Sequence, residues 1–290
     1  MNAPLHTPRL SPQSTGTGRK VVFRTHGHAQ GRVTRMVSPS DLGRLIAPFV
    51  FLDLFEDTVI PEDMPQKGWH PHSGIATLTL LMEGELHFIE SLGHEGLMVA
   101  GDIEWMCAGR GVWHTGGPGP HRTPATGFQL WVALPADREL LPAYSHRLPV
   151  ADVPADGPAR ILLGRSGEAV SPIDAPDGIN YFDVQLKAGE RWTYQPPQGY
   201  LVGWIAVMHG SVRTPETIGK GELAVFNPSD AAIEFEATAD TRFVLGTAIP
   251  HPHDLHLGYY SVHTSSEALI EGEREIQRIG QDLRAKGALR

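Results

Sequence analysis

Three histidines carry the chemistry this sequence offers most directly. His70 and His72 lie one residue apart in Trp69-His-Pro-His-Ser-Gly-Ile-Ala-Thr-Leu-Thr79, where the alternation reads as a β-strand. In a strand, residues i and i+2 project to the same face, so both imidazoles enter one space. Pro71 disfavours the α region for the residue before it, which holds His70 extended. Two neutral imidazoles on one rigid strand are two ligands for a borderline transition metal. With 15 His in 290 residues, such a pair also arises without meaning. A third ligand and a fitting fold must accompany it. Downstream, Gly101-Asp-Ile-Glu-Trp-Met-Cys-Ala-Gly-Arg-Gly-Val-Trp-His114 contains a tight glycine turn that delivers His114 onto another strand.

The elements that position these residues are short strands. A strand is expected from Lys20 to Thr25, a buried segment from Ile46 to Phe55, and a Pro- and acid-rich loop over 57–67. Strands follow at 76–82, 85–90, 96–99, 103–106 and 127–134, with turns at 83–84, 92–94, 101–102 and 109–111. Such spacing indicates antiparallel sandwiches or barrels. After a Pro-, Ala-, Asp- and Gly-rich connector with one short strand at 159–163, a second series runs 179–186, 201–208, 221–226, 232–237 and 242–248. Both halves share a layout. An extended strand leads to a Glu-Gly or His-Gly turn (83–84, 209–210), and a Gly-Asp or Gly-Glu pair (101–102, 221–222) opens another strand. The chain therefore reads as a duplicated β-domain. It divides into a disordered lead-in at 1–19, a first domain at 20–137, a connector at 138–178, a second domain at 179–262, and a helix with tail at 263–290. In that tail Leu269, Ile276, Ile279 and Leu283 fall near helical spacing behind a Ser/Thr-rich start.

Bulk properties narrow the function classes. The hydrophobic fraction is 41%, the charged fraction 20% and the net charge -9. Such an acidic balance argues against a nucleic-acid or anionic-membrane surface but not against a protein partner. One cysteine, Cys107, allows no internal disulfide and fits a reducing compartment. No apolar run reaches transmembrane length, and the first twenty residues lack the apolar core of a signal peptide. The cytoplasm is the expected location.

His-x-His on one strand of a small barrel, with a further His from a later strand across the lumen, resembles the cupin pattern. The local wording is closer still to one family. His-Pro-His-x-Gly at 70–74, Glu-Gly-Glu at 83–85, Gly-Asp-x-x-Trp-Met at 101–106, Ala-Gly-Arg-Gly-x-x-His at 108–114 and Gly-Phe-Gln-Leu-Trp-Val-x-Leu-Pro at 127–135 resemble pirin. The likeness is specific over Phe49 to Pro135 and holds only in outline beyond. It implies an all-β fold of two tandem cupin barrels, jelly-roll in type, followed here by the amphipathic helix. It also implies one divalent transition metal in the first barrel. Iron(II) is the first choice, with Ni, Zn, Cu or Mn as alternatives, and His70, His72 and His114 are the ligands carried over. The family's fourth ligand, a Glu two residues after the third His, is Gly116 here. The other cupin carboxylate position, four residues after the second His, is Ala76. A three-histidine site leaves a divalent metal with its full charge and more open positions.

Further candidate residues accompany this site. Gln129 and Trp131 alternate on one strand and are expected to face the pocket or to fill the barrel. Glu104 and His121 are candidate replacement ligands. In the second domain Arg191-Trp-Thr-Tyr occupies the slot where His-x-His would stand, so Trp192 and Tyr194 are expected to fill a metal-free barrel. His251-Pro-His-Asp-Leu-His256 repeats the His-Pro-His wording, but in an expected connector. Cys107 is expected to be a buried thiol.

Three functions follow from the resemblance. The first is a metal-dependent dioxygenase of the quercetin 2,3-dioxygenase type acting on flavonols or related enols, although no residue stands out as a general base. The second is a metal-bearing regulatory or redox-sensing protein that binds a protein partner. The third is a metal-free cupin that binds a small aromatic or enolic ligand.

Overall fold

The structure, a computed structural model, describes residues 18–62 and 68–289. The lead-in at 1–17 and residues 63–67 of the expected acidic loop lie outside the described residues. The first barrel is built from β2 (His28–Gln30), β3 (Val33–Val37), the one-turn helix α1 (Leu42–Leu45), β4 (Phe49–Thr58), β5 (His70–His72), β6 (Ile75–Glu83), β7 (Glu85–Glu90), β8 (Glu95–Val99), β9 (Ile103–Cys107), β10 (Val112–Pro118), β11 (Ala125–Ala133) and β12 (Tyr144–Leu148). These form a seven-stranded sheet in the order β12-β9-β6-β11-β4-β3-β2 and a four-stranded sheet in the order β5-β10-β7-β8. The second half repeats the plan: seven strands around Ile179–Leu186, Val202–His209 and Thr241–Ala248, and four around Ser211–Thr214.

The central strands of the first large sheet are apolar on one face and mixed on the other. Leu78 and Leu80 of β6, Trp105 of β9, Phe128 and Leu130 of β11, and Leu52 and Leu54 of β4 share a core with Leu163, Tyr181 and Trp204 of the second half. Phe49 meets Trp204 edge-on at 5.4 Å across this seam. The two large sheets thus pack against each other on their outer faces, and alternation sends the residues between into the first lumen. Trp105 and Trp204 are fully buried; truncating either would cost about 3–5 kcal/mol through transfer and cavity terms.

Two segments cross between the halves. The first strand, β1 (Val21–Thr25), falls within the stretch 20–137 expected for the first domain, yet it pairs with Leu223–Phe226 in the second large sheet. Its alternation marks it as a strand, but pairing partners at a separation near 200 residues leave no local signature. In the other direction, the hairpin His256–Leu257 with Val262–His263 and helix α2 (Ser266–Ala285) return to the first barrel. Ser265 caps α2, its side chain accepting from the amide of Ala268 at 3.1 Å. Trp113 of β10 donates its indole N–H to the carbonyl oxygen of Ile276 at 2.6 Å, and Gly280 passes over the same ring.

Candidate metal centre

β5 and β10 run antiparallel with His70 opposite His114 and Val112 opposite His72. This register places all three imidazoles on one face, and their ligating nitrogens lie within 4.8 Å of one another. Among the described residues no other group of histidine, cysteine or carboxylate side chains converges in this way. His70 Nδ1 donates to the carbonyl oxygen of Gly68 at 2.8 Å, and His72 Nδ1 to that of Tyr260 at 3.2 Å. Both Nε2 atoms are thereby left as acceptors. His72 Nε2 lies 3.1 Å from His114 Nε2. Burial lowers the pKa of all three, His72 to about 3, with the neighbouring imidazoles adding to the effect on His72 and His114. Three neutral, converging imidazoles, two of them anchored from outside, suit a divalent cation.

The three rings close one end of a cavity of about 570 Å³. Its far wall is the large sheet, and the register sets its rows. Glu104, Thr79, Gln129, Asp53 and Arg35 lie abreast on β9, β6, β11, β4 and β3. Trp131 and Phe51 form part of the next row, stacked at 4.1 Å with planes 7° apart. Trp131 reaches His72 at 4.8 Å between centroids, and the Arg35 guanidinium lies 3.9 Å over Phe51. Arg35 is paired bidentately with Asp53, through Nε to Oδ1 and Nη2 to Oδ2. Thr79 Oγ1 donates to Gln129 Oε1 at 3.0 Å. Gln129 Nε2 and Glu104 Oε1 are buried without a protein partner. A pocket with an aromatic floor and two unmet polar atoms suits a flat ligand bearing hydroxyl groups.

The expected residues separate clearly. Gln129 and Trp131 line the cavity together with Gly116. Gly116 sits two residues beyond His114 on the same strand, hence on the same face. Glu104 lies in the wall but outside the cluster of ligating atoms, so it is not a replacement ligand. His121 Nδ1 instead donates to Glu85 at 2.8 Å on an exposed loop and is likewise outside the cluster. His251 and His253 bond locally, and His256 Nδ1 meets Ser266 Oγ at 3.1 Å; the three do not converge. In the second barrel Trp192 stacks on Tyr194 and Phe235, so rings occupy the slot that holds imidazoles in the first. Cys107 is buried, and its thiol is pushed up to about 11 by that burial.

Arg35, Asp53, Phe51, Tyr259 and Tyr260 also line the cavity, and none of them lies in a sequence motif that points to it. The single Asp53 within the otherwise apolar run Phe49-Val-Phe-Leu-Asp-Leu-Phe55 is a usable signal for the wall. Tyr260 reaches His72 from 188 residues away and had none.

Glu104 supplies a pH-dependent prediction. Burial, reinforced by the nearby charge of Glu90, raises its pKa from 4.5 to about 8. A raised carboxyl pKa means a stability contribution that is full below 4.5 and is lost as pH rises towards 8. Glu104→Gln cannot ionise. In metal-free protein it should match wild type below the lower limit and exceed it increasingly towards the upper one, by roughly 1–3 kcal/mol. Denaturant midpoints across that window measure this. Parallel curves for the two proteins would contradict it.

Two all-β barrels in tandem, joined through their large sheets, with three imidazoles in the lumen of the first, define a bicupin. The family model described as Pirin matches residues 12–132. A pirin-like protein of Caulobacter vibrioides is 30% identical over 258 residues, covering 85% of this chain and 91% of the relative. A Pseudomonas aeruginosa protein named "Putative quercetin 2,3-dioxygenase" is 32% identical over 240 residues, covering 76% and 82%. The chain belongs to the pirin family. Its fold matches the crystal structure of a quercetin 2,3-dioxygenase from Acinetobacter baumannii with TM-score 0.80, 24% identity and 90% and 98% coverage. It also matches the nickel(II) complex of the Escherichia coli pirin YhhW, with TM-score 0.60, 20% identity and 80% and 98% coverage. No helix among the described residues is long and apolar enough to cross a membrane.

Proposed function

We propose that this pirin is a metal-dependent dioxygenase acting on a flavonol or a related aromatic enol. One observation carries the reading: three neutral imidazoles converge at the end of a cavity whose opposite wall is aromatic and holds unmet polar atoms. The name borne by the Pseudomonas relative supports the substrate class. His70, His72 and His114 would hold the metal, with iron(II) first among the candidates. The bound ion would supply Lewis acidity for an enolate oxygen and redox chemistry with dioxygen. The chain's own residues do the rest. Trp131 and Phe51 present a flat surface to the substrate ring. Gln129 Nε2 donates to, and the protonated Glu104 carboxyl exchanges hydrogen bonds with, its hydroxyl groups. The Arg35–Asp53 ion pair lines the far end of the cavity and makes it polar without adding net charge.

The test is oxygen uptake with quercetin by untagged protein reconstituted anaerobically with Fe(II), Ni(II), Cu(II) or Mn(II). At least one form is expected to consume dioxygen in step with loss of flavonol absorbance. A protein that binds metal but leaves every flavonol intact in all four forms overturns the reading in favour of a metal-bearing regulator.

A further inference from the structure

A buried polar chain joins the metal-binding strand to the C-terminal hairpin. Glu139 Oε2 accepts from His263 Nδ1 at 3.0 Å and from the amide of Thr264 at 2.8 Å, and Oε1 accepts from Thr264 Oγ1 at 2.6 Å. His263 Nε2 lies 3.0 Å from Ser73 Oγ, which is 2.9 Å from Ser261 Oγ. Ser73, Ser261, His263 and Glu139 are each no more than 2% exposed. Ser73 directly follows His72, and Ser261 directly follows Tyr260, whose carbonyl oxygen receives His72 Nδ1–H.

The order acid, imidazole, hydroxyl is that of a hydrolase triad, but this serine is sealed. A Cβ placed on Gly272 of α2 would stand 2.5 Å from both Ser73 Oγ and His263 Nε2. No acyl substrate fits such a space, and the serine cannot be approached for attack. Backbone closeness confirms a clamp. The amide of Val262 donates to the carbonyl oxygen of Ser73 at 3.2 Å, and Ser73 and Ser261 form a parallel bridge. Gly74, at φ +71°, leaves room for the hairpin: a Cβ there would meet the carbonyl oxygen of Val262 at 2.1 Å.

We propose that Glu139, His263, Ser73 and Ser261 are positioning residues for the metal centre. They clamp the hairpin tip onto β5 so that Tyr260 fixes the tautomer and ring plane of His72. The inference rests on the reading of His72 as a metal ligand. An unclamped hairpin lets the Tyr260 carbonyl drift, Nδ1–H loses its acceptor, and the ring samples orientations in which Nε2 misses the common point. Loss of such an outer hydrogen-bonding partner typically weakens metal binding by about 10–100-fold.

The experiment is anaerobic titration with cobalt(II), whose ligand-field bands report the geometry at the ion, on wild type and on Glu139→Gln and Ser73→Ala. The thermal midpoints of the metal-free proteins are followed in parallel. Wild type should bind cobalt(II) tightly. Both variants should bind about tenfold more weakly or worse, with shifted bands in the fraction that loads. A clamp that serves stability alone would lower the midpoint and leave affinity and bands unchanged, and that result overturns the proposal. If Glu139→Gln fails to fold, Ser73→Ala, which removes one hydroxyl, decides the matter alone. A wild type that takes up no cobalt(II) refutes the metal reading itself, and the clamp's role with it.

Discussion

His72→Ala is expected to reduce metal binding to background while leaving the barrel folded. His72 is the most constrained of the three imidazoles: 1% exposed, anchored through Nδ1 to Tyr260, and in contact with both His114 and Trp131. Its removal leaves two ligands facing each other across β5 and β10. Without a third imidazole or any carboxylate, the ion would have to complete its coordination from water. Elemental analysis of untagged protein after equilibration with Fe(II) or Ni(II) reads the outcome directly. Stoichiometric metal in the variant would show that the triad is not the site. The same burial sets the acid limit of the wild type. Because the folded-state pKa values of His70, His72 and His114 lie below 6.5, protons do not compete with metal until the pH falls well under that value. The sign for the metal-free fold follows from the same shifts. A depressed histidine pKa contributes stability that is present above the unfolded value of 6.5 and lost as pH falls through the folded ones. Metal-free wild type should therefore weaken steeply on acidification, and His72→Ala less so.

Gly116→Glu is expected to tighten metal retention more than tenfold, a change of about 1.4 kcal/mol or more. Gly116 shares a strand face with His114 and lines the cavity. A side chain there finds room. Its Cβ would stand 3.3 Å from Leu86 Cδ1, the movable end of a flexible chain, and 3.5 Å from the carbonyl oxygen of His87. A carboxylate at that position adds a fourth ligand and halves the net charge of the centre, which strengthens attraction in a buried site. Competition against a chelator of known affinity measures the gain. Unchanged retention would mean that the side chain at 116 does not reach the ion. Catalysis need not follow affinity, because the added ligand also fills an open position that substrate or dioxygen would use.

The parts legible in the sequence were those encoded locally. Alternation and Gly-rich turns marked most strands, and the repeated turn wording marked the duplication. His-Pro-His followed by an alternating strand marked the site. His114 was found because the glycine turn at 109–111 fixes where its strand begins. What could not be read depends on pairing at long range. β1 carries an ordinary strand pattern and no mark that it joins the second sheet. Asp53 and Arg35 sit in strands that read as buried or mixed. Only the register across β11, β4 and β3 shows them to be abreast of Gln129. His263 and Glu139 stand 124 residues apart, and neither lies in a motif. Glu104 read as a spare ligand because charge type was visible and direction was not. Its strand aims it into the lumen, but at the wall opposite the imidazoles.

The return of the hairpin to the first barrel has a consequence for biosynthesis. His72 and the carbonyl that holds it are made 188 residues apart, so every strand of the first barrel leaves the ribosome long before the centre can be finished. The interval also includes every strand of the second barrel except β1, which comes from the first stretch of described chain. On the proposed assignment, a nascent first barrel would present three imidazoles with His72 unanchored and would hold an ion loosely. Firm loading would wait until residues beyond 256 had docked, which would make metal acquisition a late step passed only by a folded pair of barrels.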